Sequence, residues 1–109
     1  MAYDLNLAQR IIENLRGVTA VDEKKMFGGV AYLVHGNMAV GVHGYDLMVR
    51  VGSDNHAEAM KRPHTRVFDM SGRPMSGWLL VDAAGLTDPE VLADWIAQGV
   101  AYAQSLPPK

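Results

Sequence analysis

The chain has no cysteine. Disulfides, thiol nucleophiles and Cys-type zinc sites are excluded together, and a reducing compartment is suited. It also has little net charge: 10 Lys and Arg against 12 Asp and Glu leave -2, which gives no global attraction to nucleic acid or to an anionic membrane. No apolar run approaches the ~20 residues of a membrane span. The opening Met1-Ala2-Tyr3-Asp4 has no basic stretch leading into an apolar one, so the expected location is cytoplasmic. Compact catalytic and metal signatures are missing as well. There is no His-Glu-x-x-His, no Gly-x-Ser-x-Gly and no Gly-Lys-Ser/Thr phosphate loop, and no cofactor is expected.

What is present is a core and a pattern. With 109 residues, 49% of them hydrophobic, the chain is expected to form one globular domain spanning residues 1–109. Its organising stretch runs from Lys24 to Val51. Three runs rich in Val, Leu, Tyr and Phe are separated there by Gly36-Asn37 and Gly44-Tyr45, the pattern of a three-stranded antiparallel meander. Reading both pairs as two-residue loops sets Leu33 against Val40, Ala31 against Val42, Val42 against Leu47 and Val40 against Val49. One face then carries Phe27, Ala31, Leu33, Met38, Val40, Val42, Leu47, Val49 and Val51, and the other Val30, Tyr32, Val34, Ala39, Gly41, His43, Asp46, Met48 and Arg50.

Around the meander the elements follow from local chemistry. Asp4 caps a helix with apolar positions Leu5, Ala8, Ile11, Ile12 and Leu15, and Gly17 ends it. A short helix starts at Ser53 or Asp54 and cannot continue past Pro63. Val67–Met70 and Met75–Val81 read as two strands around Ser71-Gly72-Arg73-Pro74, the second apolar on both faces. Thr87-Asp88-Pro89-Glu90 offers two starts for the last helix, a capping box from Thr87 or an Asp88 cap with Pro89 first. Leu92, Trp95, Ile96, Gly99, Val100, Ala103 and Leu106 form its stripe, with Gly99 implying a close backbone approach. Pro107-Pro108-Lys109 reads as a tail. The expected order is α-β-β-β-α-β-β-α, an α+β antiparallel two-layer sandwich.

Lys25-Met26-Phe27-Gly28-Gly29, the two hairpins after it, and Gly72-Arg73-Pro74-Met75-Ser76-Gly77-Trp78 resemble the N-terminal domain of the TfoX (Sxy) family from about Leu5 to Pro108. The resemblance implies a five-stranded antiparallel sheet with helices on one face, similar in layout to secretion-chaperone-like folds. Two-domain members of that family are positive regulators of natural competence genes. This chain resembles a single-domain member, for which the resemblance implies a regulatory or protein-interaction module without catalytic residues.

The residues leave three functional classes to compare. A half-apolar second sheet face predicts a protein partner or a second copy, a homodimer seated on Val30, Tyr32, Val34 and Met48 with Arg50 at the rim. Lys61, Arg62, His64 and Arg66, joined by Arg73, form a basic cluster that a nucleic-acid-binding accessory protein would use. The bland alternative is a solvated loop after a helix terminus. Ser71, Ser76, Asp69, Asp82 and His64 would have to converge for a small enzyme or ligand-binding protein, although serine and aspartate near Gly and Pro are ordinary turn residues. His35 and His43 point to opposite faces in this register and cannot share an ion, while His43 against Asp46 is a candidate cross-strand pair. Gly28-Gly29 is better read as a bulge or a site of close backbone packing than as a phosphate cradle.

Overall fold

The computed structural model describes residues 3–26, 28–70 and 73–109, and at 26, 70, 73 and 74 the backbone alone. The elements are α1 (Leu5–Asn14), β1 (Val21–Met26), β2 (Gly29–Val34), β3 (Asn37–His43), β4 (Asp46–Arg50), α2 (Ser53–Ala59), β5 (Thr65–Met70), β6 (Arg73–Val81), a 3-10 turn at Ala83–Leu86, and α3 (Pro89–Ser105). The expected α+β antiparallel sheet is present, but it has six strands rather than five, in the order β1-β2-β3-β4-β6-β5.

The additional strand is β1, whose Val21-Asp22-Glu23-Lys24-Lys25-Met26 has no apolar alternation to announce it. It lies at the sheet's edge, pairing only with β2 from Val21 opposite Val34 to Met26 opposite Gly29. An edge strand needs few apolar side chains, and the exposed charges from Asp22 to Lys25 protect its free backbone groups from pairing with another chain.

The first hairpin corrects the expected register by one residue. Val34 faces Asn37 and Leu33 faces Met38, so the loop is His35-Gly36 rather than Gly36-Asn37. Both loop residues have positive φ, 52° and 81°, the conformation that matches the right-handed twist of hairpin strands. Two further observations hold Asn37 in the ladder instead of the turn. Its side chain is buried, and its Nδ2 donates to the Pro107 carbonyl at 3.0 Å. The Lys109 N–H donates to the His35 carbonyl at 2.8 Å, so the tail is strapped across the hairpin.

That slip turns β2 over. Val30, Tyr32 and Val34 face the helices, while Ala31 and Leu33 take the other side. β3 recovers its expected phase through a bulge opposite Tyr32 and Leu33, where Ala39 is the extra residue. Met38 therefore lies on the outer face, contrary to expectation, and Val40 and Val42 face inward as expected. The second hairpin has its expected register, Val42 opposite Leu47 and Val40 opposite Val49, with Gly44 at φ 62°. Phe27, placed by the sequence among inward residues, and Ser71-Gly72 lie outside the described residues. Gly28 turns at φ 73° and Gly29 opens β2 so close to β3 that a Cβ would meet the Val42 carbonyl at 2.1 Å. Close backbone packing accounts for Gly29, whereas Gly28 has open space about it and is suited by its positive φ.

The helices roof one face. Asp4 caps α1 as expected, its Oδ1 accepting from the Asn6 N–H at 2.9 Å. The buried stripe is Leu7, Ala8, Ile11 and Leu15, leaving Leu5 and Ile12 exposed. Asp88, not Thr87, caps α3 by accepting from the Glu90 N–H at 2.9 Å, with Pro89 in the first turn. Leu92, Trp95, Ile96, Gly99, Val100 and Ala103 are buried along it. The expected close approach is at Gly99, where a Cβ would stand 2.5 Å from the Ala39 carbonyl oxygen. Each fully buried Leu, Ile or Val of this core contributes about 1.5–3 kcal/mol, so the α3 stripe over Val40, Val42, Leu47 and Val49 dominates the stability of the two-layer arrangement.

Candidate interaction surface

The sheet's outer face has its own apolar cluster. Met48, Phe68 and Leu80 are buried there, with half-buried Met38, Met75 and Trp78 packed over them. Alternation places them together: Leu79 and Val81 of β6 point into the main core, so Trp78 and Leu80 point away from it. All six belong to strands, and no described helix contributes to the cluster. Gly41 makes room for the Met48 side chain, since a Cβ there would press on the Met48 Cε at 2.5 Å.

Aromatic rings and charges rim this cluster. Phe68 stands 6.0 Å from Trp78 and 6.1 Å from the His43 ring, centroid to centroid, within the range of favourable aromatic contact. At one end of β4 the Arg50 guanidinium lies 5.4 Å from the centroids of both Trp78 and Tyr102, and it joins none of the ion pairs among the described residues. At the other end Arg66 donates to both Asp82 and Asp46. Its hydrogen bond to Asp82 is the largest influence and holds the guanidinium further above its ordinary value; burial opposes that rise, and the hydrogen bond to Asp46 adds to it. His43 does face Asp46 across the hairpin, but that carboxylate is engaged by Arg66.

Three of the five residues expected on this face are elsewhere. Val30, Tyr32 and Val34 are buried under the helices because β2 is turned over. Met48 and Arg50 are on the outer face, joined by Met38, Phe68, Met75, Trp78 and Leu80. The sequence carried a signal for the last pair, since Trp78-Leu79-Leu80-Val81 is apolar on both faces. Met38 depends on a bulge in β3, and what Phe68 meets across the pair depends on extra residues in β6, where Val67 faces Leu79 but Asp69 faces Pro74, which periodicity alone does not reveal.

The basic cluster is dispersed. Lys61 pairs with Glu58 at 2.9 Å, Arg62 with Asp94 at 3.1 Å, and Arg66 with two carboxylates. Arg62 also stacks 3.6 Å over the Trp95 ring. His64 is exposed at the turn into β5, with φ 67°. The side chain of Arg73 lies outside the described residues. Cations already matched by neighbouring carboxylates have little field left for a phosphate backbone. Of the serines and acids considered for catalysis, Ser71 lies outside the described residues, while Ser76 bonds Ser53 at 3.2 Å and Asp82 bonds Arg66.

Among the described residues, grooves open on the helix side. One of about 500 Å³ lies between α1 and the edge strand, lined by Ile12, Leu15, Arg16, Val21, Glu23 and Tyr32. Its polar feature is the Tyr32 hydroxyl, which donates to Glu23 Oε2 at 2.9 Å. Burial, and then that hydrogen bond, raise the phenol above its ordinary value of about 10, so it stays protonated at neutral pH and serves structure, not general-base chemistry. A second groove, about 350 Å³, lies between α1 and α3 and is lined mainly by Val18, Ala93, Ala97 and Ala101. The third, about 400 Å³, is bounded by Arg62, His64, Gly85 and Trp95. No three of the described His, Asp and Glu residues come together as a metal site, and no described helix is long and apolar enough to cross a membrane.

A family model described as the TfoX N-terminal domain matches residues 13–103. No curated protein and no solved structure matches the chain.

Proposed function

The chain belongs to the TfoX N-terminal domain family, and from that premise we propose that it is a non-enzymatic regulatory module that works by docking a protein on the outer face of its sheet. Family membership supports a competence-regulator-like module. The observation that carries the docking reading is the apolar cluster of Met38, Met75 and Trp78 over Met48, Phe68 and Leu80, built by strands and roofed by no described helix. Methionines adapt to a partner's shape, and Trp with Arg is the pairing that anchors many interfaces. Pairing of Lys61, Arg62 and Arg66 with acidic neighbours argues for this reading over nucleic-acid binding.

Replacement of the chromosomal gene by Met75→Glu or Trp78→Glu tests the reading. Both side chains are half-buried at the surface of the cluster, and a Glu at 78 would stand opposite Arg50. The purified variants should melt within about 5 °C of wild type, as expected for changes of up to ~1 kcal/mol in a domain of this size. Their transcript profile should match that of the gene deletion. Folded variants with a wild-type profile would contradict the proposal.

A further inference from the structure

We infer that the outer face seats a second copy of this chain, about a two-fold axis that lies in the plane of contact and crosses β4 at Met48. The inference rests on the outer face being the working surface, and it goes further by naming the occupant. Its basis is the distribution of charge along β4. Asp46, Met48 and Arg50 alternate onto the same face. The Arg50 end carries a guanidinium outside every described ion pair. The Asp46 end carries one guanidinium, Arg66, against two carboxylates, Asp46 and Asp82, an excess of one negative charge. The two ends are four residues apart along the strand, about 13 Å at strand rise.

A surface with one positive end and one negative end is complementary to itself once reversed. Two copies meeting face to face are related by an axis within the contact plane, and an isologous contact of this kind makes each pairing twice. With the axis across β4, Arg50 of each copy stands against the Asp46 end of the other. Met48, whose Cε packs over Gly41, then lies at the axis, and Met38, Met75 and Trp78 flank it. Two sheets stacked this way keep their strands roughly aligned, at the ~30° that twist imposes.

Complementary charge variants test the geometry, read by sedimentation equilibrium. Wild type should reach twice the mass of the chain. Arg50→Glu alone and Asp46→Lys alone should each weaken self-association at least about tenfold, since each homodimer then opposes like charges twice. An equimolar mixture should return to wild-type affinity, because both contacts in the mixed dimer regain opposite charges. Circular dichroism identifies a variant that fails to fold. If Asp46→Lys is one, the isosteric Asp46→Asn replaces it and should weaken the homodimer several-fold. Single variants that associate as wild type, or a mixture no tighter than either alone, would overturn the inference. So would a wild-type chain that stays monomeric. If that monomer's Met75→Glu variant still reproduces the deletion profile, the proposed function stands and only the second copy is refuted.

Discussion

Tyr32 illustrates how one side chain reports on the fold. Its side chain is buried in the main core and its hydroxyl donates to Glu23 on β1. Because burial and the hydrogen bond raise its pKa above the ordinary value of about 10, the folded state holds the phenolic proton more tightly than the unfolded chain does. The corresponding stability is fully present below about pH 10 and is lost as pH rises through the folded value. Urea unfolding of wild type and Tyr32→Phe at neutral pH should differ by about 1 kcal/mol in favour of wild type. Toward about pH 11 that advantage should shrink or reverse. A difference that stays constant across this range would contradict the account of the phenol. Nothing in the sequence around Tyr32 marks it as a core residue bonded to an acid, since Glu23 lies in a stretch with no strand pattern. Gly99 was legible: a glycine within an apolar stripe implies a backbone close by, and the Ala39 carbonyl is that backbone.

At the scale of elements, the helices were legible because their ends carry chemistry. Asp4, and Asp88 with Pro89, mark the starts in the sequence and accept the first backbone N–H groups in the structure. Hairpins were harder to read. Gly36 suits the second position of one two-residue loop and the first position of another, and adjacent His35 and Asn37 both tolerate turns. What decides is distant in sequence: Asn37 bonds the Pro107 carbonyl, and Lys109 bonds His35. One residue of slip then reversed every side chain of β2, while the bulge at Ala39 kept β3 in phase and concealed the error. The turn itself can be tested. His35 holds φ 52°, a conformation that Asn adopts at less cost. His35→Asn should therefore raise stability by about 0.5 kcal/mol, read as a higher urea midpoint at unchanged slope. A lowered midpoint would argue against the His35-Gly36 turn.

The whole molecule is a sheet with one roofed face and one bare of described helices, and the two faces are unequal by design of the sequence. The roofed side collects Val30, Val34, Val40, Val42, Leu47, Val49, Leu79 and Val81 beneath α1 and α3. The bare side collects methionine and aromatic rings between a positive and a negative rim. Sandwich class and helix layer could be read from composition and periodicity. The identity of the bare side could not, because it depends on which way β2 faces and on how β5 and β6 run past their bulge. The central claim is that this bare side is where a second copy sits, and methyl NMR of the methionines tests it residue by residue. On concentrating the wild-type chain, the methyl signals of Met38 and Met75 should shift while that of Met60, which packs against the helix-side core, stays in place. Signals at Met38 and Met75 that do not move with concentration, or a shift confined to Met60, would contradict it.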